Sequence, residues 1–272
     1  MKNFFAIISL IFMFSCTNDD QSVQQHQCYI TKFNKTNIKN SAQQFYLSEY
    51  VYDGNRITKK LDYKLIDNSS PSQPNSNYVL QLDKTTEVQY NTLFQPIKII
   101  EPINTSNIQS VDYLIYDSQG RLSEKNRVST NFTDGSSDTR NFKYSYNSNN
   151  KIILIQEKTT DSFGDVYGEA TKTLTYDSDG NLRLIEQIAA SNPNYKVEIK
   201  YDNYDSYKNP YANVNVPFED AFFLRLSKNN YRKYSKITYS NGYPTGTYET
   251  SEISGYEYNE NGYPKFAEYQ CN

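Results

Sequence analysis

The sequence predicts an all-β protein: an antiparallel meander of repeated hairpins forming a curled sheet or barrel, with one short helix. Three observations lead there. A turn phrase returns at a fixed interval, as Tyr116-Asp117-Ser118-Gln119-Gly120-Arg121-Leu122, Tyr146-Asn147-Ser148-Asn149-Asn150-Lys151-Ile152 and Tyr176-Asp177-Ser178-Asp179-Gly180-Asn181-Leu182. The copies start 30 residues apart, the length of two strands and two turns. Between turns, apolar and polar residues alternate: Tyr195, Val197, Ile199 and Tyr201 fall on one face, and Lys196, Glu198 and Lys200 on the other. Finally, 27 tyrosines supply large rings with a polar tip, suited to a half-buried pleated surface.

In order along the chain, residues 1–15 read as a secretory signal. Lys2 gives a positive start, and the apolar run from Phe4 to Phe14 is broken only by Ser9. Eleven helical residues rise about 16 Å, half of what a membrane span needs. Met13-Phe14-Ser15-Cys16 resembles the lipobox of a bacterial lipoprotein, which makes Cys16 the lipidation site and the first mature residue. Thr17-Asn18-Asp19-Asp20 resembles the acidic signal that carries Bacteroidota lipoproteins to the outer face of the outer membrane. Residues 16–27 then form a polar tether, and the expected localisation is lipid-anchored and surface-exposed. The membrane partner is reached through acyl carbons worth about 0.8 kcal/mol per buried CH₂, not through a spanning segment.

Residues 28–272 read as a single tyrosine-rich β domain. Each phrase has a physical role: Tyr closes a strand, Asp or Asn bonds back to the turn, Gly or Asn accepts a positive φ, and the aliphatic residue opens the return strand. Shorter or altered copies stand at Tyr52-Asp53-Gly54-Asn55-Arg56-Ile57 and Tyr258-Asn259-Glu260-Asn261-Gly262-Tyr263. Residues 68–77, rich in Pro, Ser and Asn, form a long hairpin loop. The rhythm breaks at Pro217-Phe218-Glu219-Asp220-Ala221-Phe222-Phe223-Leu224-Arg225-Leu226, where an initial Pro and first-turn acids favour a short helix. A meander of about twelve to fourteen strands cannot leave an aromatic face bare, so it curls, closes or is capped, with this segment as the plug. Cys28 and Cys271 bracket the domain, and a bridge between them requires the first and last strands to be neighbours.

The Tyr-Asp phrases, Tyr204-Asp205-Ser206-Tyr207-Lys208-Asn209-Pro210-Tyr211, and the late hairpins at Asn241-Gly242-Tyr243-Pro244 and Asn261-Gly262-Tyr263-Pro264 resemble a family of uncharacterised Bacteroidota lipoproteins. That family is a domain of unknown function with a porin-like fold, akin in style to Tyr-Asp (Rhs-type) repeats. The resemblance implies a curled or barrel-like antiparallel sheet and transfers no catalytic residue. Rhs shells themselves are far longer and enclose a cargo.

Composition narrows the function. The formal charge of −3 becomes −4 once Lys2 leaves with the signal, so there is no basic footprint for nucleic acid. His26, the single histidine, lies in the tether, where nothing holds a catalytic base. With Cys28 it is short of the four ligands of structural zinc, so neither metal nor cofactor is expected. Asp177-Ser178-Asp179-Gly180 opens like a calcium loop, but its twelfth position is Ile188 instead of Glu, and the turn reading prevails. Glu157, Glu186 and Glu198 read as cross-strand partners of Lys and Arg.

Tyr207, Tyr211, Tyr243 and Tyr263, beside Pro or Gly at turns, are the candidate binding residues, where rings can stack on a glycan or a protein. The reading is a non-catalytic binding or structural module. Its alternatives are an envelope carbohydrate-active enzyme using a carboxylate pair and a membrane-spanning β-barrel.

Overall fold

The computed structural model of the chain describes residues 28–39, 42–67, 78–253 and 255–271. The expected signal segment, Cys16, the expected tether with His26, and residues 68–77 lie outside the described residues. The first eight strands are β1 (Cys28–Lys39), β2 (Ala42–Asp53), β3 (Arg56–Asp67), β4 (Tyr78–Tyr90), β5 (Pro96–Ile100), β6 (Ile108–Tyr116), β7 (Leu122–Asn131) and β8 (Ser137–Tyr146). They continue as β9 (Ile152–Thr160), β10 (Val166–Tyr176), β11 (Leu182–Ala189), β12 (Asn192–Asp202), β13 (Lys233–Ser240), β14 (Tyr243–Glu252) and β15 (Ala267–Cys271).

All fifteen belong to one antiparallel sheet, in which β1 to β14 each lie beside their sequence neighbours. β15 returns to pair with β1, so the first and last described strands meet, while β14 and β15 remain the sheet's edges. The sheet is therefore curled and not closed. Residues 203–232 lie against one of its faces. Asn213 Nδ2 donates to the carbonyl of Cys28 on β1 at 3.0 Å, Asp220 meets Lys60 on β3, Phe222 packs on Tyr144 on β8, and Leu182 N on β11 donates to Ser227 Oγ. Laid flat at about 4.8 Å per strand, β1 and β11 would stand about 50 Å apart. One compact segment reaches all of them because the sheet wraps around it.

The phrases at Tyr116, Tyr146, Tyr176 and Tyr258 fold in the same way, whereas the shorter one at Tyr52 closes a two-residue turn in which Asp53 pairs with Arg56. In the third copy, Asp177 Oδ1 accepts from the backbone N–H of Asp179 at 3.0 Å and of Asn181 at 2.8 Å, and Gly180 takes a φ of +88°. A side chain at that φ is strained, which explains Gly120, Asn150, Gly180 and Gly262 at this place. A register shift follows: Thr175 pairs with Leu184, but Tyr176 pairs with Leu182. The same shift precedes Tyr52, Tyr90, Tyr116 and Tyr146. The extra residue sits in the return strand, so its inward residues are three apart there, as at Leu182 and Ile185 or Ile152 and Ile155. Tyr90-Asn91-Thr92-Leu93-Phe94-Gln95-Pro96 is a further copy, with Phe94 at φ +60° in the Gly position and Pro96 in the aliphatic one.

The tyrosines join one copy to the next. Their hydroxyls donate to the carbonyl of the aliphatic residue that opens the preceding return strand. The pairs are Tyr90 to Ile57, Tyr116 to Pro96, Tyr146 to Leu122 and Tyr176 to Ile152, at 2.7–2.9 Å. Tyr52 reaches Ile30 in the same manner, and Tyr204 reaches Leu182. The hydroxyls thereby satisfy backbone groups at the sheet end, where neighbouring hairpins splay.

The wrapped face is layered along the strands. Nearest the tyrosine turns it is apolar, with Ile57, Ile152, Leu174, Leu182 and Ile185 buried. Farther along come Lys60, Asp112, Lys125, Arg127, Glu157 and Lys172. The outward face carries exposed Lys143, Ser145, Gln156, Thr173 and Arg183.

The segment expected to be a short helix is a chain of turns, helical only as a 3-10 turn at Leu224–Leu226. A second such turn, Pro210–Asn213, is capped by the Asn209 side chain. Phe218, Ala221 and Leu226 N–H groups bond two or three residues back, and only Arg225 to Ala221 has α-helical spacing. The reason lies in the side chains. Phe218 packs on Tyr50, Phe222 on Tyr144, Glu219 reaches Arg127 and Asp220 reaches Lys60. These partners lie on different strands around the curl, and an α-helix would point adjacent residues away from them.

Candidate functional site

The inward charged layer arises from the register shift. At the place three residues past the opening aliphatic, Ile99, Ile155 and Ile185 are apolar, whereas the equivalent residues after Ile57 and Leu122 are Lys60 and Lys125. The plugging segment answers with acids. Asp220 lies 2.6 Å and Asp62 2.9 Å from Lys60 Nζ. Glu219 lies 2.8 Å from Arg127, which also holds Glu101 at 2.9 Å and faces Asp112 at 3.9 Å. Beyond them Glu157 takes Lys172 at 2.6 Å and pairs with Arg140.

Burial and pairing compete at each group. Burial pulls Lys60 down, but Asp220 and Asp62 outweigh it and hold its pKa above the usual lysine value. For Lys125 burial wins and lowers it, although Asp112, 3.8 Å away, opposes. Burial likewise pushes the Asp112 carboxyl up against the pull of Lys125 and Arg127. Burial would raise Glu157 too, but the bond from Lys172 and the charge of Arg140 keep it below the usual range. Arg225, with its Nη1 buried and unbonded, faces the hydroxyls of Tyr116, Tyr144 and Tyr146, and burial lowers its pKa. Chemically the layer is a set of mutually engaged charges beneath a plug.

An open cleft of about 510 Å³ lies where the repeat is interrupted, lined by Asn203, Tyr204, Asp205, Tyr207, Arg232 and Glu252 among others. Tyr207 stacks on Tyr258 with centroids 3.7 Å apart, and the Tyr258 hydroxyl bonds to Asp205. Burial and that bond push the Tyr258 hydroxyl up to about 12. Arg232 Nε is buried there without a hydrogen-bond partner.

The four candidate binding tyrosines are not brought together. Tyr243 is 75% exposed at the β13–β14 turn, and Tyr207 is 43% exposed beside the cleft. Tyr211 and Tyr263 are corrected: they are 6% and 3% exposed, Tyr211 edge-on to Phe33 at 5.0 Å and Tyr263 against Tyr269 at 4.9 Å. Their flanking Pro and Gly mark turns that fold inward. Cys28 stands opposite Cys271 in the β1–β15 register and is disulfide-bonded. Glu186 and Glu198 sit directly across from each other, bridged by Lys196. Asp161 and Asp177 bond within their own turns. Among the described residues, no cluster of three His, Cys, Asp or Glu is arranged to hold a metal ion.

Sequence reasoning passed over Lys60, Lys125 and Arg225. The available signal was a lysine three residues past an opening aliphatic, matched by the Glu219-Asp220 pair.

No protein-family model matches the chain, and no curated protein matches it. It is similar in fold to a porin-like protein from Bacteroides uniformis, with a TM-score of 0.50 over 88% of this chain and 93% of that one, at 14% identity. A porin-like protein from Bacteroides vulgatus aligns with a TM-score of 0.46 over 90% of this chain and 98% of that one, at 13% identity.

Proposed function

We propose that the protein is a lipid-anchored envelope protein whose β domain is a non-catalytic binding or structural module for a glycan or protein at the cell surface. The observation that carries this reading is the occupied concave face. The place where a barrel enzyme would seat substrate is filled by residues 210–227, with Glu219 and Asp220 neutralising Arg127 and Lys60. Asp62, Glu101, Glu157, Glu219 and Asp220 are paired closely with neighbouring cations, and buried Asp112, whose Oδ1 has no hydrogen bond, lies beneath the plug 3.8 Å from Lys125.

Anchoring rests on Met13-Phe14-Ser15-Cys16 and the following Asp19-Asp20. β1 begins at the tyrosine-turn end, so a tether from Cys16 leaves from that end. The outward face exposes Tyr113, Ile115 and Ile153 but sets Lys143 and Arg183 among them, and a lysine or arginine facing lipid at mid-depth costs about 2–4 kcal/mol, which runs against a lipid-spanning band. A Cys28–Cys271 bridge completes the reading by tying the two ends of the domain together.

Glycan-array screening with product analysis tests the module. Binding without turnover supports it, and released sugar overturns it in favour of the carboxylate-pair enzyme. Protease shaving of intact cells tests the location: release of the domain supports surface exposure, and its protection overturns it.

A further inference from the structure

The end of the sheet opposite the tyrosine turns has a distinct surface. Each of its described hairpins from β5 onward presents a large apolar side chain to solvent. Ile103, Phe132, Phe163, Tyr167, Tyr195 and Tyr243 are 53%, 56%, 89%, 62%, 41% and 75% exposed. They come from five successive hairpins, which at two strand widths apiece stand about 10 Å apart. The row is long enough to meet a partner of ordinary interface size.

The hairpins are also fastened side by side. Phe132 N donates to the carbonyl of Asn107 at 2.9 Å, Ala190 N to that of Glu169 at 2.9 Å, and Asn241 N to that of Asn194 at 3.0 Å. Asn107 Nδ2 reaches Thr133 Oγ1 at 3.2 Å, and the Tyr167 hydroxyl bonds to Asp138. These links cross from one hairpin to the next and hold the rim in one arrangement, so docking on it loses little freedom.

Charge narrows the partner. The hairpin tips 102–109, 131–138, 161–168, 189–195 and 241–248 contain Asp134, Asp138, Asp161 and Asp165 but no lysine or arginine, and Lys158, just inward of the third, stands opposite Glu169. The tyrosine-turn end also exposes Leu93, Phe94 and Tyr207, but interleaves Arg56, Arg121, Lys151 and Lys208. An acid-only apolar rim repels an anionic lipid surface and a second copy of itself. Aromatic rings predominate in the row, but they are spread over five hairpins about 10 Å apart, wider than one sugar ring can bridge and of the span that a protein surface covers.

We infer that this rim is a docking surface for a protein partner that presents lysine or arginine side chains around an apolar patch. The inference deepens the binding-module reading by naming the partner class and the surface.

The test uses the full chain and a model amphipathic peptide of leucine and lysine, with a glutamine-for-lysine counterpart and phosphatidylcholine vesicles as comparators. Amide shifts on binding locate the contact. The expected result is contact at residues 131–138, 161–167 and 241–248 with the lysine peptide. Affinity should fall at least 10-fold for the glutamine peptide, for Phe163→Ser with Tyr167→Ser, and for Asp134→Asn with Asp161→Asn. Unchanged circular dichroism keeps each variant interpretable. Equal binding by the variants, contact elsewhere, no binding, or preference for the vesicles overturns the docking surface. A neutral oligosaccharide shifting residues 203–207 while the rim stays silent would sink this inference and leave the module reading standing.

Discussion

The Tyr176 hydroxyl donates to the carbonyl of Ile152 at 2.9 Å, joining the residue that closes one repeat to the residue that opens the return strand of the repeat before it. The bond explains why the phrase needs Tyr where Phe would pack equally well. Tyr176→Phe keeps the ring and leaves the Ile152 carbonyl without this donor. We expect a loss of about 1 kcal/mol in urea unfolding. Tyr243→Phe, at an exposed turn, should leave the urea midpoint unchanged. Equal effects from both would mean that the ladder contributes nothing.

Lys60 is 5% exposed and lies between Asp62 and Asp220. Lys60→Met leaves two carboxylates facing each other beneath the plug, and the expected cost is about 3 kcal/mol. Asp220→Asn should cost less, since Asp220 is partly solvated and Asp62 remains to pair. Lys236→Met, which removes an exposed contact of 4.0 Å with Glu249, should fall within about 0.5 kcal/mol. Denaturant titration of the three variants gives the order directly.

Stability should fall in alkali through the tyrosine ladder. Burial pushes the Tyr90 hydroxyl up to about 12 and raises those of Tyr52, Tyr116 and Tyr176 further. A folded pKa above the unfolded one means that the stabilisation is complete below the unfolded value of about 10 and is lost as pH rises through the folded values. The urea midpoint should therefore decline above about pH 10, with phenolate absorbance of these residues appearing together with unfolding. Full ionisation of the ladder with the fold intact would contradict the buried hydroxyls.

A bridge between Cys28 and Cys271 closes nearly the whole domain into one loop. The chain-entropy model gives such a closure about 5 kcal/mol. Reduction of the unsubstituted protein, or Cys28→Ala with Cys271→Ala in non-reducing buffer, should lower the unfolding midpoint markedly. Thiol titration of the denatured, unreduced protein should find neither cysteine free; two free thiols there would exclude the bridge.

Much of the fold was legible because it is local. Asp177 bonds to its own turn and Gly180 adopts its φ whatever the rest of the chain does, so the hairpins could be read copy by copy. The return strands were less legible. The shift beside each Tyr sets their inward residues three apart, which a strict period of two misassigns, and it conceals Lys60 and Lys125 as inward positions. Tyr90 to Pro96 escaped notice as a copy because Phe94 and Pro96 stand where Gly and an aliphatic are expected. Tyr211 and Tyr263 were misplaced because Pro and Gly report a turn but not whether it folds inward.

The antiparallel hairpin meander, its turn chemistry and the break in rhythm at Pro217 are written in residues a few positions apart, and so can be read without the fold. That the sheet stays open between β14 and β15 while β15 returns to β1 emerges from the assembled fold alone. The same holds for residues 217–226, which give up an α-helix to reach Tyr50, Lys60, Arg127 and Tyr144. Those choices depend on how far fifteen twisted strands curl, which is the sum of many small rotations and of the plug's own ion pairs. No short stretch of sequence carries that sum.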